Sequence, residues 1–217
     1  MNNLDNQILL VDKPKGVTSF DLIRKLRKEY GIKKAGHAGT LDPMATGLMI
    51  IATGDKTKEL ENHIKLPKVY RAEILIGKST DTYDAEGEVL ETKDTYDLKE
   101  KEVEEAVLTL NGVQQLAVPI YSAVKIDGRP LYWYARNGKE PREIPVRDMD
   151  VRLATMLDFY KREDGTAVVS VRFDVASGVF IRSLAHDLGK RLGYPAMLSG
   201  LRRVSIGDMK IENAIVL

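Results

Sequence analysis

The chain has 217 residues, 43% hydrophobic content, a formal net charge of +1 and no cysteine, which allows one large domain or two small ones. The lack of cysteine excludes disulfides, thiolate catalysis and thiolate metal sites, and no apolar run is long enough to span a bilayer. The first residues lack the charged, apolar and small-residue order of a secretory signal, so we expect a cytoplasmic protein.

A helix is predicted from the start signal at residues 18–21 (TSFD). Thr18 and Asp21 have the spacing of a capping box, and apolar residues then recur at helical spacing until Gly31 ends the helix. Basic residues lie on its other faces and continue beyond it, namely Arg24, Lys25, Arg27, Lys28, Lys33 and Lys34. This cluster is either an ordinary solvated face or a site for a polyanion, and the sequence leaves both open.

A glycine-rich loop follows at residues 36–47 (GHAGTLDPMATG). Its three glycines allow a tight turn, and Pro43 fixes the backbone directly after a single carboxylate, Asp42. A nucleophile or general base needs such control over one side chain. An Asp-Pro pair in a plain surface turn is the alternative, and the segment alone does not decide between them.

The later elements do not alternate strictly between strand and helix. Residues 70–76 alternate as in a half-buried strand, residues 87–91 indicate a shorter strand, and residues 103–110 have helical spacing. Residues 167–175 form a second alternating strand, which leads into a helix over residues 181–192. This order predicts an α+β fold with a largely antiparallel or mixed central sheet flanked by helices.

The near-neutral total charge hides a polarised molecule. Residues 81–105 carry eleven acidic and three basic side chains, whereas residues 125–147 carry six basic and three acidic ones. Glycines and prolines interrupt the second segment, so we predict an insertion at about 125–150 that grips a ligand. Tyr132, Trp133 and Tyr134 either contact that ligand or anchor the segment to the core.

Several motifs, in order along the chain, resemble the bacterial tRNA pseudouridine synthase B (TruB) family. Residues 36–47 resemble its catalytic loop, and residues 10–19 (LVDKPKGVTS) resemble its N-terminal signature. The later matching blocks are residues 68–71 (KVYR), 80–87 (TDTYDAEG), 119–125 (PIYSAVK), 177–184 (SGVFIRSL) and 201–203 (LRR). The resemblance therefore covers nearly the whole chain.

The resemblance implies the pseudouridine synthase fold and the isomerisation of uridine 55, in the T-arm loop of tRNA, to pseudouridine. It implies no cofactor and no metal, and a monomer that binds the T-arm stem-loop without a protein partner or a membrane. In the family the insertion clamps the RNA stem-loop. Many members continue into a C-terminal PUA domain; we expect this chain to lack that domain and to form a single catalytic domain over residues 1–217.

The reaction breaks the bond from C1′ to N1 of the uridine and makes a bond from C1′ to C5. One carboxylate starts it, either by attacking C1′ or by assisting glycal formation, and the family's aspartate falls on Asp42. Arg182 can supply the cation that such a carboxylate needs. It stands near a helix start, where the helix dipole disfavours a cation, which indicates a functional constraint. The alternative is an ion pair with Asp174 or Asp187.

The resemblance adds Tyr70 to the catalytic residues, since its ring can stack on the base and its hydroxyl can move a proton at C5. His37 is expected to receive the extruded base or fill the vacated space. Plain packing of Tyr70 and a bond of His37 within its own loop are the alternatives. The other predicted substrate-binding residues are Lys13, Tyr121, Lys125, Arg202 and Arg203, of which one arginine can instead form a structural ion pair.

The sequence also bears on two other classes of function. His37 and Asp42, with His63 or His186, could be metal ligands or part of a hydrolase triad, but no spacing or motif of either class is present. A module on the same fold that binds or remodels RNA, or a paralogue that acts on a different RNA, remains open. A retained pair of Asp42 and Arg182 argues for an enzyme.

Overall fold

The computed structural model describes residues 4–217 of the chain. Their contacts group them into two compact units. The first unit comprises residues 4–71, 174–177 and 200–217, and the second comprises residues 72–173 and 178–199. The single catalytic domain expected over residues 1–217 stays a prediction.

The elements mix strands and helices without regular alternation, as predicted. The strands are β1 (Ile8–Lys13), β2 (Ala35–His37), β3 (Thr46–Thr53), β4 (Lys68–Ile76), β5 (Lys78–Thr80), β6 (Val89–Thr92), β7 (Gly112–Ala117), β8 (Lys125–Ile126), β9 (Arg129–Pro130), β10 (Val146–Lys161), β11 (Ala167–Val175), β12 (Ala196–Ile206) and β13 (Met209–Lys210). The α-helices are α1 (Ser19–Tyr30), α2 (Leu60–Ile64), α3 (Glu100–Leu108), α4 (Leu131–Arg136) and α5 (Ile181–Leu192). None of them, within residues 4–217, is long and apolar enough to cross a membrane.

In the first unit, β3 is the central strand. It pairs antiparallel with β1 and β2, and parallel with β12 where Arg202 and Arg203 lie opposite Thr46 and Gly47. Seven of its eight residues are buried, so it shows no alternation of polar and apolar residues. For that reason the sequence pattern did not predict it.

Helix α1 confirms the predicted capping box and helix end. The backbone amide of Asp21 donates to the Thr18 hydroxyl, the Asp21 carboxylate accepts from the backbone amide of Thr18, and Gly31 ends the helix with a φ of 68°. Leu22, Ile23 and Leu26 are buried. The basic residues Arg24, Arg27, Lys28, Lys33 and Lys34 are exposed, and Lys25 is half-buried.

In the second unit, the strand order is β12, β4, β11, β10 and β7. Helix α3 contacts α5 and β10, and α5 contacts β7. The predicted strands β4 and β11 and the predicted helix α5 are confirmed, while β6 covers Val89–Thr92 where residues 87–91 were predicted. Together with the parallel pair in the first unit, these elements confirm an α+β fold with a mixed sheet.

The basic segment at residues 125–147 contains a short hairpin of β8 and β9, the helix α4, and irregular chain up to β10. Leu131 is fully buried with Val118 and Met149, so a residue that was not singled out anchors the segment. Among the three aromatic residues, the Tyr134 hydroxyl donates to the Ile126 carbonyl, and Tyr132 is 40% exposed.

Candidate active site

Asp42 lies in the loop between β2 and β3, residues 38–45, which we call the Asp42 loop. Its neighbour Leu41 is fixed by Ser19, whose buried hydroxyl accepts from the Leu41 amide at 2.9 Å and donates to the Leu41 carbonyl at 3.0 Å. The Gly16 amide donates to the Pro43 carbonyl at 2.9 Å. The chain is therefore held on both sides of the half-buried Asp42. In the sequence, Ser19 was part of the predicted helix-start signal (TSFD) and not of the predicted site.

Lys13 is completely buried beside the same loop. Its ammonium donates to the carbonyls of Pro14 at 3.0 Å, Val17 at 2.7 Å and Pro43 at 3.2 Å. The predicted contact of Lys13 with substrate stays a prediction. In the structure its ammonium ties β1 to the Asp42 loop.

Arg203 is also buried, with 1% of its surface exposed. Its Nε donates to the Leu48 carbonyl at 2.7 Å, and one terminal nitrogen donates to the Gly39 carbonyl at 3.2 Å. The predicted phosphate contact of Arg203 stays a prediction. The anticipated structural ion pair belongs to Arg202, whose two terminal nitrogens bind the Asp12 carboxylate at 3.1 and 2.6 Å.

His37 and Lys68 lie in the same electropositive part of the first unit. Burial lowers the pKa of His37, and the charge of Arg203 lowers it further, so the imidazole is neutral at pH 7. Its buried Nδ1 has no hydrogen-bond partner among residues 4–217. Lys68 was not singled out. Its ammonium donates to the Ile64 and Leu66 carbonyls, and burial followed by the charge of Arg203 lowers its pKa to about 8.

Tyr70 lies in β4 and is 7% exposed. That degree of burial agrees with the packing alternative, and its role in catalysis stays a prediction.

In the second unit, Arg182 stands in the first turn of α5 and is 5% exposed. Its guanidinium donates to the Thr82 carbonyl at 3.0 Å and to the Tyr121 carbonyl at 2.9 Å, and it lies 3.4 Å from the Asp84 carboxylate. Asp84 in turn accepts from the Thr82 hydroxyl at 2.7 Å and from the Glu86 amide at 3.0 Å. The buried cation therefore has a buried, hydrogen-bonded carboxylate beside it.

Asp84 was missed as the acidic neighbour of Arg182. The two acids considered were Asp174 and Asp187, and Asp187 pairs instead with Arg191 at 2.7 Å. Residues 80–87, which we call the Asp84 turn, bond back on themselves through Asp84, and that dense polar pattern was the available signal. Arg182 belongs to the second unit and Asp42 to the first, so their pairing stays a prediction.

Residues 27–181 match the profile of the TruB family pseudouridylate synthases, N-terminal domain. The chain belongs to this family. It is 42% identical over 211 residues to tRNA pseudouridine synthase B of Bacillus cereus, covering 96% of this chain and 68% of the relative. It is 41% identical over 213 residues to tRNA pseudouridine synthase B of Malacoplasma penetrans, covering 98% and 90%. As a member of the TruB family it is a pseudouridine synthase, an isomerase.

The fold of the TruB-family chain also agrees with solved structures. It aligns with a chain from the crystal structure of a Cbf5-Nop10-Gar1 complex with a TM-score of 0.73 and 25% identity, covering 99% of this chain. The match spans 53% of that chain, so the TruB-family chain corresponds to about half of it.

The remaining predicted residues of this pseudouridine synthase lie in the second unit. Burial raises the pKa of the Tyr121 hydroxyl, and the hydrogen-bonded Asp81 carboxylate raises it further, so the phenol stays protonated. Lys125 is exposed at the start of the β8–β9 hairpin. Within residues 4–217, no group of three or more His, Asp or Glu side chains is arranged to hold a metal ion.

Proposed function

We propose that this chain isomerises uridine 55, in the T-arm loop of tRNA, to pseudouridine. The relatives named tRNA pseudouridine synthase B support the substrate class, at 41–42% identity over nearly the whole chain. The reaction is redox neutral and transfers no external group, so we propose that it needs no cofactor. A monomer acting in the cytoplasm on the T-arm stem-loop suffices for it.

The observation that carries this proposal is the fixation of the Asp42 loop. Ser19 holds Leu41 on one side of Asp42, and Lys13 and Gly16 hold Pro43 on the other. A carboxylate that must meet C1′ of an extruded nucleotide gains from a fixed position. A protein that only binds RNA has no use for a fixed carboxylate among phosphates, because the charges repel each other.

In the proposed reaction Asp42 either attacks C1′ or assists glycal formation, and the bond from C1′ to N1 breaks. The base rotates, and C5 bonds to C1′ as the bond from Asp42 to C1′ breaks or, in the glycal route, as C2′ regains the proton that it lost. C5 then loses its proton, and N1 gains one. Arg182 supplies the permanent positive charge that keeps the aspartate ionised in a pocket with little water. Its buried position and its hydrogen bonds to two carbonyls support this role, since they fix the plane of the guanidinium.

His37 and Tyr70 are proposed to act on the extruded base. A neutral imidazole can pack against an uncharged base, and the lowered pKa of His37 supports the neutral form. Tyr70 can offer its ring face to the uracil and its hydroxyl to the proton at C5.

The RNA backbone is proposed to contact two basic surfaces, one in each unit. The first unit offers the exposed basic residues of α1 and of the chain that follows it. In the second unit the Arg129 guanidinium lies 3.9 Å from the Trp133 ring centroid, and the Lys139 ammonium lies 5.2 Å from it. Cations stacked on an indole suit an RNA stem-loop, which presents both phosphates and unstacked bases.

The test is incubation of the protein with bulk tRNA lacking pseudouridine, followed by base-resolved mapping of pseudouridine. We expect one modified position, in the T loop, and no product with Asp42→Asn although RNA binding persists. The matched control is Asp55→Asn, because Asp55 is an exposed aspartate of the same unit.

Two outcomes would contradict the proposal. Product from Asp42→Asn at more than about a tenth of the unmodified rate would remove Asp42 from the chemistry. Tight RNA binding by the unmodified protein without any pseudouridine in tRNA would favour the RNA-binding module or the paralogue that acts on a different RNA.

A further inference from the structure

Tyr83 has an unusual backbone conformation in the middle of the Asp84 turn. Its φ is +62°, in the left-handed region that bulky residues rarely adopt. Its amide donates to the Thr80 carbonyl at 3.3 Å, and its carbonyl accepts from the Leu198 amide at 3.0 Å. Such a conformation persists only where surrounding contacts compensate for it.

The compensating contact is a ring stack with His186. The two ring centroids are 4.0 Å apart, and the ring planes differ by 9°. His186 lies four residues after Arg182 on α5, so both side chains project from the same face of the helix. Two successive turns of helix α5 therefore contact the Asp84 turn. His186 contacts the Tyr83 ring, and Arg182 contacts the Thr82 carbonyl and the Asp84 carboxylate.

We propose that Tyr83 and His186 are a positioning pair that keeps the Thr82 carbonyl and the Asp84 carboxylate in place on Arg182. The inference rests on the proposed role of Arg182 in the reaction. Neither ring is assigned a contact with substrate. Removal of either ring would let the turn relax and Asp84 move, so the guanidinium would lose its fixed orientation.

The stack uses ring faces rather than polar atoms. The buried Nδ1 of His186 has no hydrogen-bond partner among residues 4–217. Phenylalanine at either position keeps a flat ring, so His186→Phe and Tyr83→Phe should preserve the pair, although His186→Phe also removes the hydrogen bond between the imidazole and the Ala196 backbone. Tyr83→Gly removes the ring but adopts a positive φ without strain, which separates the loss of the stack from backbone strain.

The kinetic test measures kcat and KM on a T-arm stem-loop. We expect kcat of His186→Ala and of Tyr83→Gly to fall at least about tenfold while KM stays within about threefold, because RNA contacts are unchanged. The double variant of His186→Ala and Tyr83→Gly should have a kcat no lower than that of the less active single variant, since both changes remove the same contact. His186→Phe and Tyr83→Phe should stay within about threefold of the unmodified kcat.

The matched control is Leu90→Ala. Leu90 lines the same cavity of about 700 Å³ as Tyr83 and His186, is 65% exposed and is not part of the stack. This variant should keep its kcat. A loss equal to that of His186→Ala would show that the cavity matters rather than the stack, and would overturn the proposal.

A second measurement does not depend on activity. The Glu86 amide donates to the Asp84 carboxylate at 3.0 Å, so its hydrogen exchange reports whether that carboxylate stays in place. We expect exchange at Glu86 to accelerate at least about tenfold in His186→Ala and Tyr83→Gly but not in His186→Phe, while amides of β11 stay protected. Unchanged hydrogen exchange at the Glu86 amide in both His186→Ala and Tyr83→Gly would contradict the proposed positioning role of the pair.

The two measurements also separate this inference from the proposed function. An unmodified protein that forms no pseudouridine in any tRNA would contradict the function, and exchange at Glu86 would still decide the pair. An active protein whose folded His186→Ala and Tyr83→Gly variants keep kcat within about twofold would contradict the pair and leave the function standing.

Discussion

The ammonium of Lys13 lies 3.2 Å from the carbonyl oxygen of Pro43, the residue that follows Asp42. The same ammonium donates to the carbonyls of Pro14 and Val17. A residue of the first strand thus determines where the loop carrying the aspartate turns. Charge buried in this way acts on the protein's own backbone, and the consequences can be tested for Lys13 and Arg203 in the first unit and for Arg182 in the second.

Lys13→Met should destabilise the protein by roughly 1–3 kcal/mol, because carbonyls that lose a buried donor stay desolvated. Urea unfolding followed by circular dichroism measures this loss. The control Lys15→Met replaces an exposed lysine two residues away and should change stability by less than about 0.5 kcal/mol. A Lys13→Met protein with unchanged stability but weaker RNA binding would instead support the substrate contact predicted for Lys13.

Arg203 and Arg27 should differ in how their loss affects the salt dependence of RNA binding. Arg27 is exposed in the basic cluster of α1, so Arg27→Ala should reduce the slope of log K against log salt by about 1. Arg203→Met should lower stability and leave that slope unchanged, since its guanidinium binds two backbone carbonyls. Filter binding over a salt series gives both slopes, and a reduced slope for Arg203→Met would mean that it does reach a phosphate.

Arg182→Lys should lower kcat at least about a hundredfold with little change in KM. One ammonium cannot reproduce the planar guanidinium that contacts the Thr82 and Tyr121 carbonyls and the Asp84 carboxylate together. Single-turnover kinetics on the T-arm stem-loop isolates this step. The control Arg191→Lys lies on the same helix in a more exposed ion pair, and near-normal turnover of Arg182→Lys would make Arg182 peripheral.

Stability should fall as the pH drops below about 6.5, the ordinary histidine pKa. Burial, with the charge of Lys190 adding to it, lowers the pKa of His186 in the folded state. The unfolded chain therefore takes up the proton first, so the folded state is favoured above pH 6.5 and loses that advantage as the pH falls. His37 acts in the same direction.

Urea midpoints between pH 5 and pH 7.5 test this dependence. His186→Phe should flatten the curve without abolishing it, because His37 still contributes. If the urea midpoints of the unmodified protein and of His186→Phe changed in parallel with pH, His186 would have the same pKa in the folded and the unfolded state, which would contradict the prediction.

Local signals in the sequence predicted the local parts of the fold. The capping box of Thr18 and Asp21 lies within four residues, and the alternation in β4 and β11 is visible because one face of each strand is buried. Strand β3 carries no such pattern because nearly all of it is buried, and the long strand β10 was missed although most of it is exposed. In both strands, pairing with distant chain overrides local preference.

The candidate site shows the same division. Asp42 could be recognised because it lies in a constrained turn, and Arg182 because a cation near a helix start breaks a local rule. The structural roles of Lys13 and Arg203 depend instead on carbonyls up to 164 residues away. No property of a lysine or arginine in a sequence says whether it will meet a phosphate or a buried carbonyl. Asp84 lay inside a motif that was quoted, but its partner is 98 residues further on, as the numbering shows.

Arg203 also holds the chain on both sides of Asp42, at Gly39 and at Gly47 in β3. Its guanidinium holds Gly39, while its backbone lies against Gly47 so closely that a Cβ there would sit 2.3 Å from the Arg203 carbonyl oxygen. One residue of β12 thus holds the chain at both Gly39 and Gly47, which fixes the number of residues between these two contacts. The side chains along this segment can vary, but inserting or deleting a residue would break one of the contacts and shift the aspartate.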